Sequence, residues 1–158
     1  MDRVDFRFAA KFAAVFGLLY LLLCAARDTE GDRFLLEALA LRPSAWVIAF
    51  VAGDLVQVSG TSLISPYARL NVLAGCDGRD ALLLLFAAVG AAQASWRWKV
   101  VGAVLGALLV CVLNYSRITA LYFALRFDRH TFDLLHGYLL PAVIVFSLAG
   151  FFMWWLRA

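Results

Sequence analysis

Apolar residues in this chain come in long runs, and four of the runs approach the ~20 residues a helix needs to cross a bilayer. The first covers Phe8 to Ala26, with Lys11 near enough to its end to snorkel. The second covers Ala81 to Trp96 and is short, its Gln93 and Ser95 placing that end at the interface. The third covers Lys99 to Leu121 and can continue as helix to Leu125. The fourth covers Gly137 to Leu156, closed by Trp154, Trp155 and Arg157. Its Pro141 falls in the first turns, where a kink costs least. The pattern predicts an all-α polytopic membrane protein, one integral-membrane domain over residues 1–158.

Residues 34–58 break the pattern. The strongest apolar stretch there, Ala45 to Gly53, is too short to span; Glu37, Arg42 and Asp54 interrupt the segment and Pro43 divides it. This predicts an amphipathic interfacial helix, or two divided at Pro43; a fifth crossing is the competing reading. From Gln57 to Gly75 the chain mixes β-branched and small polar residues, with a turn signal at Ser65-Pro66-Tyr67. A β-hairpin or structured loop is expected there, outside the hydrocarbon, because open strand edges are not tolerated inside it.

Composition agrees. The apolar fraction is 65% and the mean hydropathy +0.86, against about 45–50% apolar in soluble domains. A net charge of +3 would suit nucleic acid, but no basic cluster or aromatic-interleaved patch accompanies it. The cations flank spans instead. With the N-terminus inside, the inner segments hold Arg3, Arg7, Lys11, Arg97, Lys99 and Arg157 against Asp2 and Asp5. Trp96-Arg97-Trp98-Lys99 is the best inside marker. Successive crossings then bring Cys76, Arg117 and His136 to one outer face.

Those three residues carry the candidate chemistry. Cys76 lies in the polar run Gly75-Cys76-Asp77-Gly78-Arg79-Asp80, Arg117 near the end of the third span, and His136 at the start of the fourth. A thiol, a fixed cation and an imidazole on one face can cut or transfer an acyl group. Each has a plainer reading too: a structural cysteine, an interfacial anchor, a span cap. Asn114 stands at i−3 from Arg117 on the same helix face, suited to orienting substrate or bonding a neighbouring helix. Asp77 can orient His136, bind substrate or cap the loop. His130, in Arg126-Phe127-Asp128-Arg129-His130, reads as solvated loop. Three cysteines cannot all pair; Cys24 and Cys111 fall in apolar helices, where a thiol is usually a small hydrophobe. Leu23 is too large for a lipoprotein signal before Cys24. Ala26 could end a signal peptide, although the helix also fits a retained anchor. Two histidines and scattered cysteines lack metal-ligand spacing, and no cofactor is expected.

Gly75-Cys76-Asp77-Gly78 before an apolar helix, Asn114-x-x-Arg117-Ile118 ending the next, and His136 opening a span together resemble the exosortase/archaeosortase family of membrane cysteine transpeptidases. The Val58-Ser59-Gly60-Thr61 loop and the Cys-Asp-Gly form are most similar to the short exosortase H type. The resemblance covers roughly Arg42 to Trp155. It departs from longer members in having fewer spans, and in Arg79 and Asp80 where a more apolar pair is expected. It implies a Cys76 nucleophile, a His136 acid–base and an Arg117 that stabilises charge. The partners it implies are exported proteins with a C-terminal sorting signal: a short motif, one membrane helix and a basic tail. It implies a bacterial cytoplasmic membrane, with the site facing the extracytoplasmic side. Two other classes stay open: a non-catalytic membrane scaffold, and a transporter or channel subunit with Arg117 on a polar path. A transporter would usually show internal repeats, which the chain lacks.

Overall fold

A computed structural model describes residues 3–27, 29–73 and 75–158, without the side chains of residues 3–5. The inner-side charge expected of Asp2 lies outside the described residues, and those of Arg3 and Asp5 outside the described side chains. Five helices and a small sheet make up the described residues. They are α1 (Arg3–Ala26), α2 (Glu30–Ala52), strands β1 (Gln57–Ser59), β2 (Ser62–Ile64) and β3 (Arg69–Asn71), α3 (Arg79–Ala91), α4 (Trp96–Phe127) and α5 (Arg129–Arg157). The described residues are mostly helical, consistent with the expected all-α polytopic fold. Helices over Phe6–Ala26, Glu30–Ala52, Trp96–Phe127 and Arg129–Arg157 are each long and apolar enough to cross a membrane. Large apolar side chains cover the outside, including Leu21, Trp46, Phe50 and Phe146.

Several boundaries differ from expectation. The second run is helical only over the 13 residues of α3. Ala92 leaves the helix, and Ser95 then N-caps α4 by accepting from Trp98 N at 3.4 Å. The segment expected at the interface is one helix, capped by Thr29 at its start and unbroken at Pro43. Proline removes an N–H and crowds the preceding turn. Here that turn, Glu37–Leu41, is π-helical, with Arg42 N bonded to Glu37 O. The carbonyl four residues before Pro43, on Leu39, accepts from Tyr115 Oη at 2.8 Å. α5 repeats the device: a π-turn over Leu135–Leu139 precedes Pro141. It also begins at Arg129, taking in the run around His130 expected as loop, because Asp128 caps it through His130 N and Thr131 N, both at 3.1 Å.

Two cores sit end to end along α4. The 32 residues of that helix make it about 48 Å long, against about 30 Å of hydrocarbon. Its first half packs with α3 and α5 around Leu85, Val89, Val110, Ile144, Leu148 and Trp155. Glycine permits this approach. A Cβ on Gly102 would lie 2.5 Å from the Trp155 indole, and one on Gly106 2.3 Å from Leu85 Cδ2. Such small-residue seams let membrane helices close. Trp98 and Trp155 lock the base: each indole N–H donates to the other's carbonyl at 3.2 Å. α1 lies against α3, its Phe8 ring 6.2 Å from that of Phe152 and its Arg27 paired with Asp80 at the other end.

The second half of α4 carries a cap built from α2 and the sheet. The strands form an antiparallel meander, β1-β2-β3, where a hairpin or structured loop was expected. Leu63, Leu70 and Val72 from this region meet Leu41 and Ile48 of α2 and Ile118, Leu121 and Tyr122 of α4. Tyr122 Oη donates to Asp54 Oδ2 at 2.8 Å and lies 2.7 Å from Ser65 Oγ. Arg126 donates to the same Asp54 carboxylate and sits 4.3 Å from the centre of the Tyr67 ring. The C-terminal end of α2 is thereby tied to the cap.

Candidate active site

The loop carrying Cys76 occupies the junction between bundle and cap. Gly75 and Gly78 have φ of +88° and +84°, conformations that an L side chain resists by roughly 1–2 kcal/mol. They stand on either side of Cys76 and Asp77, and Cys76 N donates to Leu73 O at 3.0 Å. Gly78 is needed a second time: a Cβ there would lie 3.0 Å from Asn114 Cγ. Cys76 stands three residues before the start of α3 at Arg79.

The three residues expected to converge do so. Cys76 Sγ lies 4.0 Å from both ring nitrogens of His136. Arg117 Nη2 lies 3.7 Å from the same sulfur, and its Nη1 donates to Gly75 O at 3.4 Å. Arg117 is buried, and its Nε has no protein partner. A guanidinium in this position retains a spare donor. The His136 ring stacks on Phe132, centroids 5.4 Å apart and planes 9° from parallel. His130 is exposed and makes no contact with the sulfur.

The two accessory residues separate. Asn114 is buried against Gly78, its Oδ1 unpartnered. It lines an apolar cavity of about 160 Å³ with Leu36, Leu39, Leu82 and Cys111. Asp77 makes no hydrogen bond to His136; of the roles open to it, the geometry shows loop capping. Its Oδ1 accepts from Arg79 N at 3.3 Å and its other oxygen from the Arg79 guanidinium. Arg79 also reaches Asp32 of α2. Burial opposes the charge on Arg79, but Asp77 and Asp32 outweigh it and the guanidinium pKa is raised. This Asp32–Arg79–Asp77 clasp was not legible from the sequence, since nothing couples positions 47 residues apart. Phe132 was missed for a simpler reason: its i−4 relation to His136 appears only if the helix starts before residue 132.

Two hollows flank the loop. An apolar one of about 220 Å³ runs between α3 and α5 from Gly75 and Arg117 to Leu84, Ile144 and Leu148. A polar one of about 710 Å³ opens between the α1–α2 corner and the sheet, lined by Arg27, Asp32, Glu37 and Thr61. Among the described residues, no group of three or more His, Cys, Asp or Glu side chains could hold a metal. The chain matches no family model, no curated protein and no solved structure.

Proposed function

We propose that this chain is a membrane-embedded cysteine peptidase and transpeptidase of the exosortase kind. It cuts the C-terminal sorting signal of exported proteins at the outer face of a bacterial cytoplasmic membrane. One observation carries the reading: a single sulfur lies within 4.0 Å of His136 and 3.7 Å of Arg117. These groups come from three separate elements and meet where the apolar bundle gives way to the polar cap. A structural cysteine needs neither neighbour.

The chemistry follows from the groups present. The thiolate is the nucleophile. His136 takes the Cys76 proton as Sγ attacks the scissile carbonyl, and the Arg117 guanidinium balances charge on the tetrahedral oxyanion. As the C–N bond breaks, His136 gives that proton to the leaving amine. An acceptor amine then attacks the thioester and loses a proton through His136, which returns the thiol; water in place of the amine gives hydrolysis. The apolar hollow beside Arg117 suits the membrane helix of the signal.

The test is the size shift of a co-expressed substrate carrying its sorting signal. Cys76→Ala should abolish processing while the protein stays in the membrane. Arg117→Lys should lose about 10²–10³-fold, because lysine keeps the charge but not the planar fork. His136→Ala should be inactive and His130→Ala normal. Wild-type processing by Cys76→Ala would replace the enzyme with a scaffold.

A further inference from the structure

Catalytic imidazoles are usually held by a hydrogen bond to a third group, which fixes the ring and its tautomer. His136 has none among the described residues. Its two nitrogens are both 4.0 Å from Cys76 Sγ, so neither is singled out as the acceptor. What does hold the ring is the face of Phe132, one helical turn earlier, 5.4 Å away and within 9° of parallel. Phe132 is itself half-buried against the cap core formed by Ile48, Leu63 and Tyr122. The ring is therefore coupled to a packed structure rather than to a mobile side chain.

We propose that Phe132 is the positioning residue for His136, an aromatic plate in the place of a hydrogen-bonding third group. This rests on the Cys76–His136 reading above. A flat apolar neighbour fixes the plane of the imidazole but leaves both nitrogens free, so either can take the thiol proton and deliver it to the leaving amine. The same π face attracts the imidazolium formed once the proton has moved. The charged and ionisable groups facing the pair are Cys76 and, through the same sulfur, Arg117. Asp133 is next to Phe132 on the same helix but is exposed. The wide turn over Leu135–Leu139 begins between the two stacked residues. π-turns of this kind are frequent at functional sites.

The experiment follows the alkylation rate of Cys76 by iodoacetamide across pH, in a Cys24→Ala, Cys111→Ala background, beside substrate processing. Phe132→Leu removes the plate, and Phe132→Met removes it while keeping the bulk the cap needs. Each should lower processing about tenfold and move the inflection of the alkylation profile to higher pH. Phe132→Trp should retain the wild-type behaviour in both. An unchanged profile in the Met variant would overturn the proposal, even with slower processing, because that pattern marks packing alone. The underlying reading fails separately: His136→Ala would then leave the profile unchanged whatever Phe132 does.

Discussion

The two ends of α4 are stabilised by different means. Around Gly102 and Gly106 the packing is close and free of charge: an indole against a glycine, and a reciprocal pair of tryptophan hydrogen bonds. Around Ile118 and Tyr122 it is mixed: α2, itself long and apolar enough to cross a membrane, packs with three short strands, and the Asp54–Arg126 ion pair ties the edge. The difference follows from the solvent. Lipid tails are as apolar as leucine, so helices there associate by contact rather than by escape from water. Beside water, burying a leucine or isoleucine stabilises by about 1.5–3 kcal/mol, and polar ties can be satisfied at the edges. Under the proposed function, chemistry that moves protons through a thiol and an imidazole needs the second environment, and a membrane-anchored substrate would arrive through the first. Cys76, Arg117 and His136 stand on the boundary.

If that contrast is right, damage to the cap should reach the site and damage to the base should not. Asp54→Ala leaves the half-buried Arg126 and the buried Tyr122 without their shared acceptor. Removing one partner of a buried pair costs about 3–5 kcal/mol; with Arg126 partly exposed and stacked on Tyr67 we expect the low end. The measurement is thermal stability in detergent, followed by Cys76 alkylation, and both should change. Gly102→Ala places a methyl against the Trp155 indole and should cost about 1–3 kcal/mol of stability. Alkylation of Cys76 at temperatures below its transition should stay as in the wild type. Equal loss of alkylation in both variants would make bundle and cap a single unit.

The smallest effect concerns pH. Thr131 Oγ1, then the N–H groups of His130 and Thr131, hold the Asp128 carboxyl below its ordinary value near 3.8. A depressed folded-state pKa adds stability above the unfolded value, and that stability is lost as pH falls through the folded one. Protection from hydrogen exchange at the first turn of α5, taken relative to the intrinsic rate at each pH, should therefore fall only below about pH 4. Protection independent of pH in Asp128→Asn and not in the wild type would support the cap.

Much of this arrangement was legible in the sequence, and the failures have physical causes. Long apolar runs announce membrane helices whatever their packing, so α1, α4 and α5 could be read, though their polar first turns could not. The meeting of Cys76, Arg117 and His136 was expected from a count of crossings that took Ala81 to Trp96 as a span; the three do meet, but the helix there has only 13 residues and Glu30–Ala52 is the one long enough to cross. Pro43 misled because proline breaks a helix by default; the wide turn before it and the hydroxyl of Tyr115, which donates to Leu39 O 76 residues away, supply what it removes. Ala81 to Trp96 misled because apolar residues continue past the helix end at Ala91. The Asp32–Arg79 link of the clasp depends on where distant segments meet, which no local spacing encodes, whereas the Phe132 plate is an i, i+4 pair hidden by placing the helix start too late. Arg79 and Asp80, an expected departure at a position suited to apolar residues, are accounted for by their partners Asp32, Asp77 and Arg27.

The central claim is that Cys76 forms the covalent bond to substrate. Purified protein incubated with a sorting-signal substrate, quenched in acid and analysed by mass spectrometry tests it most directly. The account predicts a substrate-derived thioester on Cys76, released by hydroxylamine as the hydroxamate of the processed protein and absent from Cys76→Ala. A preparation that processes substrate with no adduct on Cys76, and a Cys76→Ala variant that processes it at the same rate, would contradict it.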